Sequence, residues 1–240
     1  SDRFFNISEN IFNKAKEIMI FNNILQSKKW FVGIHLRTSQ DKRTLRNACF
    51  ENIAYICEQI IKRGGEVVFT GTKNFMDLKN KANIYFIDEL NISKSENELL
   101  QLYVWSKASF FVGNLSGGTH PPGLFGTPTI WLDVHPTVHA RPPSNLDTVI
   151  PKKIFDIRNN KFLTFKEANS EKHFRCQTES KFLANYSGYE IFPADLKIIE
   201  KVTNHYISKF VFNKETIDDN FFNDDEFLPQ GKGARYKFKN

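Results

Sequence analysis

Five short, continuously apolar runs separated by stretches of helical period limit what this chain can fold into. Trp30–Leu36, Glu66-Val-Val-Phe-Thr70, Ile84-Tyr-Phe-Ile87, Ser109–Gly113 and Pro128–Leu132 read as strands that are apolar on both faces. Strands of that kind belong to parallel sheets covered by helices on each side, whereas half-exposed antiparallel strands alternate apolar with polar. Helical spacing fills the intervals. Ile7, Ile11, Ala15, Ile18, Met19 and Leu25 predict a lead-in helix, and Ala48, Phe50, Ile53, Ala54, Cys57, Ile60 and Ile61 predict another, stopped by Gly64-Gly65. Ser95-x-x-Glu98 reads as a capping box opening a helix through Trp105, and Pro121 starts a short helix over 120–126. The expected fold is α/β: a doubly wound, mostly parallel sheet with flanking helices, Rossmann-like.

After the fifth run the pattern weakens. Residues 133–150 are rich in proline and polar groups and read as a long loop. Thr164-x-x-Glu167 suggests a short capped helix, and Asp195–Phe210 a longer amphipathic one. From Asn213 the chain passes through Asp218-Asp219 and Asp224-Asp225-Glu226 to a basic tail. The expected division is a lead-in segment over 1–27, one domain over 28–212 and a tail over 213–240.

Composition narrows the function classes. At 240 residues, 40% hydrophobic and 25% charged, the chain is long enough for a large folded domain. The net charge of +6 is dispersed among 27 acidic residues with no basic stripe, so no nucleic-acid partner is expected. Cys49, Cys57 and Cys176 form no CxxC pair, which argues against a disulfide framework or a structural zinc site, and the first two read as small core residues of one helix. Apolar runs fall short of the roughly 20 residues needed to span a bilayer, and no signal peptide is visible. The expected location is the cytoplasm, with attachment to the inner face of a membrane left open.

Two strand ends carry the chemistry. In an open parallel sheet, ligands sit beyond the carboxyl ends of the strands. There the sequence places His35 and Arg37 after the first strand, and Gly113-Asn-Leu-Ser-Gly-Gly-Thr119 after the fourth. A guanidinium makes paired, charge-assisted hydrogen bonds to a diphosphate, and glycines let backbone N–H groups approach a phosphate closely. The alternative at the first strand is an Arg37 paired to an acidic neighbour and a His35 buried in the core. Spacing excludes better-known phosphate loops: Thr119 and His120 stand where a P-loop needs Lys and Ser/Thr, Gly113 is three residues before Ser116 where a nucleophile elbow needs two, and no G-x-G-x-x-G follows the first strand. His135-x-x-x-His139 would hold a metal only on a helix, and Pro136 argues for a loop, so no metal is expected.

The order of motifs resembles a family of bacterial surface-polysaccharide glycosyltransferases. The resemblance rests on Phe31-Val-Gly-Ile-His-Leu-Arg37, Arg46-Asn47 with Tyr55, Gly64-Gly65-Glu-Val-Val-Phe-Thr-Gly71, Ser109–Gly118, Phe125-Gly-Thr-Pro128 and Ile150-Pro-Lys-Lys153, and runs from about residue 28 to 200. The same pattern is similar to the nucleotide-sugar half of GT-B glycosyltransferases and, more distantly, to O-fucosyltransferases, whose His-x-Arg contacts a GDP-sugar.

The resemblance implies a metal-independent transfer from a nucleotide-diphosphate sugar, with GDP or UDP as the expected nucleotide, to a glycan or glycolipid acceptor. It implies Arg37 and His35 in the catalytic site, and donor contacts from Gly71, Thr72, Asp88, Asn114, Ser116, Gly117, Gly118, Thr119 and His120. It implies no further cofactor, and an acceptor domain supplied by an N-terminal region or a partner chain. A non-catalytic nucleotide- or sugar-binding domain of a larger protein is the competing reading.

Overall fold

The computed structural model describes residues 5–25, 30–37, 44–71, 76–79, 81–135, 144, 146–170, 181 and 187–214. Its centre is a six-stranded, all-parallel sheet formed by β1 (Phe31–His35), β2 (Glu66–Phe69), β3 (Ile84–Phe86), β4 (Phe110–Gly113), β5 (Thr129–Val134) and β6 (Thr148–Pro151). The spatial order is β3-β2-β1-β4-β5-β6. The chain winds outward from β1 to β3, then crosses back to β4 on the other side of β1, which is the doubly wound Rossmann-like arrangement.

Helices cover both faces because the strands are apolar on both. Val32, Ile34 and Leu36 point toward α2 (Phe50–Lys62) and α6 (Leu196–Phe210), meeting Ile53, Ile56, Cys57 and Ile60 from the first and Ile199, Val202 and Tyr206 from the second. Phe31 and Phe111 point the other way, toward Ala15, Ile18 and Met19 of α1 (Glu9–Phe21) and Leu100 and Val104 of α3 (Lys94–Lys107). Ile53, Ile56 and Ile60 are fully buried, each stabilising the fold by roughly 1.5–3 kcal/mol relative to exposure.

Several sequence expectations shift. Ser93, not Ser95, caps α3: its hydroxyl accepts from Glu96 N at 3.3 Å and Glu96 Oε2 accepts from Ser93 N at 2.8 Å. Both serines lie three residues before a glutamate, and the earlier start adds two residues to the helix with both cap bonds made. Cys49 is the residue before α2, outside the core face that takes Cys57. The expected loop over 133–150 loses both ends, because β5 runs to Val134 and an edge strand, β6, begins at Thr148. A proline at the end of β6 is compatible with a sheet edge.

A second, three-stranded antiparallel sheet lies outside the sequence reading: β7 (Lys153–Asp156) at the centre, flanked by β8 (Lys161–Phe162) and β9 (Tyr189–Phe192). Ile154 packs there with Leu45, Leu163 and Ile191. The Thr164–Glu167 capping box is present and opens α5 (Phe165–Ser170). α4 (Pro121–Leu124) opens on its two prolines. Cys176 and the acidic tail lie outside the described residues. Among the described residues no helix is long and apolar enough to cross a membrane.

Candidate functional site

β1 and β4 are neighbours, with His35 opposite Gly113. The segments that follow them therefore leave the sheet side by side at the point where strand order reverses, and a crevice opens there in doubly wound sheets. The structure thus brings His35 and Arg37 together with the 114–119 loop.

Asn114 ties the two segments. It is fully buried; its Oδ1 accepts from Arg37 N at 2.8 Å, and its Nδ2 donates to Arg37 O and Arg46 O, both at 2.9 Å. The side chain is spent on backbone, so Asn114 shapes the crevice rather than reaching into it. Arg46, in a 3-10 turn over Thr44–Arg46, also donates from Nη2 to Leu115 O. The resemblance set that arginine among its motifs, but nothing in the sequence indicated its partner in the 114–119 loop.

The loop itself is held by its hydroxyls. Thr119 Oγ1 donates to Asn114 O at 2.7 Å and lies 3.1 Å from Ser116 Oγ, with both residues buried. Gly113 must be glycine, since a Cβ there would run into the Thr119 side chain. Gly117–Thr119 form a 3-10 turn, whose first N–H groups have no acceptor within the turn. Gly117 is exposed with open space around its Cα, so a ligand can approach that backbone. His120 caps α4 and packs its ring edge-on against Trp131 at 4.8 Å.

His35 occupies a slot between two glycines. A Cβ on Gly118 would collide with the imidazole, and one on Gly71 would come within 2.6 Å of Cε1. Gly71 also has φ +77°, the left-handed region that glycine enters without penalty. His35 Nδ1 lies 3.2 Å from Thr70 Oγ1, and the Thr70 hydroxyl donates to Ile34 O at 3.4 Å. With its one proton so directed, Thr70 accepts from Nδ1–H. The imidazole therefore presents Nε2 as an acceptor. Burial pushes His35 below the ordinary histidine pKa, opposed by a hydrogen bond to the Thr70 backbone and the charge of Asp88. Asp88, just past β3, accepts from Asn97 Nδ2 at 3.0 Å. Thr72 lies outside the described residues, as does His139, while His135 is buried at the end of β5.

One functionally suggestive carboxylate is structural. Asp133 is fully buried at φ +51°, at the irregularity between β5 and β6. It accepts from Cys49 N at 2.8 Å, Ala194 N at 2.7 Å and Asn52 Nδ2 at 3.3 Å. That set ties β5 to the start of α2 and to the segment before α6. Among the described residues no three His, Cys, Asp or Glu side chains gather as a metal cluster.

No family model matches the chain, and no curated protein matches it in sequence. Solved structures do. A glycosyl transferase of family 9 from Veillonella parvula superposes with a TM-score of 0.52 over 88% of this chain and 54% of its own, at 13% identity. ADP-heptose LPS heptosyltransferase II from E. coli matches 61% of this chain and 44% of its own, with a TM-score of 0.46 and 14% identity. A wall teichoic acid polymerase matches 85% and 49%, with a TM-score of 0.39 and 12% identity. The Veillonella superposition establishes a fold shared with a glycosyltransferase, and the chain spans about half the length of these structures.

Proposed function

We propose that this chain is the donor-binding half of a glycosyltransferase that moves a sugar from a nucleotide-diphosphate sugar to a glycan or glycolipid acceptor. The observation that carries the reading is the meeting of the His35–Arg37 strand end with the Gly113–Thr119 loop at the reversal of strand order. A diphosphate offers only acceptor oxygens and needs donors. The Arg37 guanidinium and the N–H groups at Gly117 and Gly118 supply them, while Ser116, Thr119 and Asn114 hold the loop in shape and His120 closes its far end.

In the transfer, an acceptor hydroxyl attacks the anomeric carbon, the bond from that carbon to the diphosphate oxygen breaks, and the departing diphosphate takes the electron pair. Charge builds on that leaving oxygen. Donors fixed in advance around developing charge are worth about 2.7–4 kcal/mol each in barrier height. No Asp-x-Asp stands in the sequence, which supports a metal-independent, GT-B type of transfer in which protein cations do this work. The base that takes the acceptor's proton is assigned to no residue of this chain.

A second reading is favoured by the length comparison: a chain spanning about half of its neighbours can bind a nucleotide sugar without turning it over alone. A thermal-shift panel of UDP, GDP, ADP, CDP and their sugar conjugates tests binding, because a ligand that prefers the native state raises its stability by mass action. A rise with one nucleoside diphosphate supports the donor-site reading, and no rise with any of them overturns it. Turnover of the responding sugar nucleotide by this chain alone would then set aside the binding-only reading.

A further inference from the structure

At the amino-terminal ends of the strands, away from the crevice, a pocket of about 250 Å³ lies between the start of α1, the end of α3 and the residue that follows α4. Its place in the sheet follows from the chain: Lys107 closes α3 just before β4, and Phe125 comes just before β5. The walls are largely aromatic. Phe5 and Phe125 meet with ring centres 6.2 Å apart, and Phe12 stacks on Tyr103 at 5.3 Å. Phe5 N donates to Leu124 O at 3.2 Å, which ties the start of the described chain to the far side of the pocket.

Two opposite charges stand at this aromatic wall with nothing to neutralise them. The Lys107 ammonium lies 4.7 Å from the centre of the Phe12 ring, and Glu9 is one turn before Phe12 on the same face of α1. Among the described residues no carboxylate comes within 4.0 Å of Lys107 Nζ, and no cationic nitrogen within 4.0 Å of the Glu9 carboxylate. The Ser106 hydroxyl is already given to Tyr103 O at 3.1 Å.

We infer that this pocket binds a small zwitterion with an apolar body, an α-amino acid with an aromatic or branched aliphatic side chain. Its apolar part lies against Phe5, Phe12 and Phe125, its carboxylate meets Lys107, and its ammonium meets Glu9. An anion alone would satisfy Lys107 but lie beside Glu9, and a cation alone would satisfy Glu9 but lie beside Lys107. One ligand with both groups on a single carbon satisfies both. An apolar cavity of about 150 Å³ takes up benzene, so about 250 Å³ holds such a ring with its charged end toward the open mouth. This is a second site, independent of the nucleotide-sugar reading.

The test is an NMR titration of the whole, isotope-labelled chain at pH 7 with four ligands that share one ring. L-phenylalanine carries both charges, hydrocinnamate only the carboxylate, phenethylamine only the ammonium, and N-acetyl-L-phenylalaninamide neither. L-phenylalanine should bind tightest, shifting the amide signals of Phe5, Phe12 and Phe125, and each charge removed should weaken binding roughly two- to fivefold, the worth of an exposed ion pair. Lys107→Gln should weaken L-phenylalanine and hydrocinnamate by that factor and spare phenethylamine, and Glu9→Gln should do the reverse. Both side chains are exposed, so neither change disturbs the core. Phe5→Ala, also at an exposed position, should weaken all four ligands. No saturable shift with L-phenylalanine, equal affinity for all four ligands, or an L-phenylalanine affinity unmoved by both Lys107→Gln and Glu9→Gln overturns the inference. Titration of the same sample with UDP and GDP reports on the crevice separately, so failure at one site is told apart from failure at the other.

Discussion

Asn114 and Arg37 hold each other from both sides: the amide oxygen accepts from the Arg37 N–H at 2.8 Å and the amide nitrogen donates to the Arg37 carbonyl at 2.9 Å. This side chain completes the main-chain pairing that would otherwise end with β1 and β4. Asn114→Asp keeps the acceptor and replaces the donor with an oxygen that faces the Arg37 and Arg46 carbonyls. Leaving such buried groups unpaired costs roughly 1–3 kcal/mol each. Urea unfolding should therefore show a loss of about 2–4 kcal/mol, and nucleoside diphosphate binding should fall further than the stability loss explains.

The glycines around His35 separate shape from stability. Gly118→Ala drives a methyl into the imidazole, whereas Gly117→Ala meets nothing within 4 Å. Diphosphate affinity should drop at least tenfold in Gly118→Ala and change little in Gly117→Ala, measured by titration calorimetry. Gly71→Ala adds left-handed backbone strain of about 1 kcal/mol to the same collision, visible as a lowered urea midpoint.

Asp133 is a stability centre. Asp133→Ala leaves the Cys49 and Ala194 N–H groups and the Asn52 amide without their acceptor and keeps a non-glycine residue at φ +51°. A loss of roughly 3–5 kcal/mol is expected by denaturant unfolding, since three buried donors each lose their acceptor at about 1–3 kcal/mol. Asp133→Gly relieves the backbone and should lose measurably less.

Two buried groups give opposing pH dependence. Burial raises Asp147, which accepts from Thr129 N at 2.9 Å and Ser144 N at 3.2 Å, to about 7. The unfolded chain releases this proton near pH 4, so Asp147 takes stability away as pH rises from about 4 to about 7. Burial, with Lys209 adding to it, lowers His205 to about 4. The unfolded chain binds that proton near pH 6.5, so His205 takes stability away as pH falls from about 6.5 to about 4. Each slope approaches 1.4 kcal/mol per pH unit, and they offset one another over most of the shared window. Between pH 4.5 and 6.5 the two single variants should therefore differ from the parent in opposite directions. Relative to the parent, unfolding free energy should rise more steeply with pH in Asp147→Asn and less steeply in His205→Gln.

The sheet was legible because continuous apolar runs such as Phe110–Val112 have few other uses, and both glycine-flanked strand ends carry polar residues of unusual kind. The six-strand order was not, since it depends on how β4 crosses back over β1. The edge strand β6 was hidden by a proline-rich approach and four residues of length. In the small antiparallel sheet, Lys153-Ile-Phe-Asp156 is too short for a period-2 pattern to stand out. Around the site, residue type pointed to His35, Arg37 and the loop, but hydrogen bonds spanning 77 residues, such as Asn114 to Arg37, leave no local trace. Thr70 and Arg46 lie within motifs on which the resemblance rests, yet nothing local indicates their partners, His35 and Leu115. Ser95-x-x-Glu98 illustrates the reverse problem, two overlapping cap signals with only one used.

The most direct test is the dissociation constant of the best-binding nucleoside diphosphate for the parent protein and for Arg37→Ala, at fixed pH and ionic strength. A diphosphate held at the β1–β4 strand ends predicts a loss of roughly 10- to 150-fold, the worth of a charge-assisted hydrogen bond. An Arg37→Ala protein that binds the same nucleotide as tightly as the parent would contradict it.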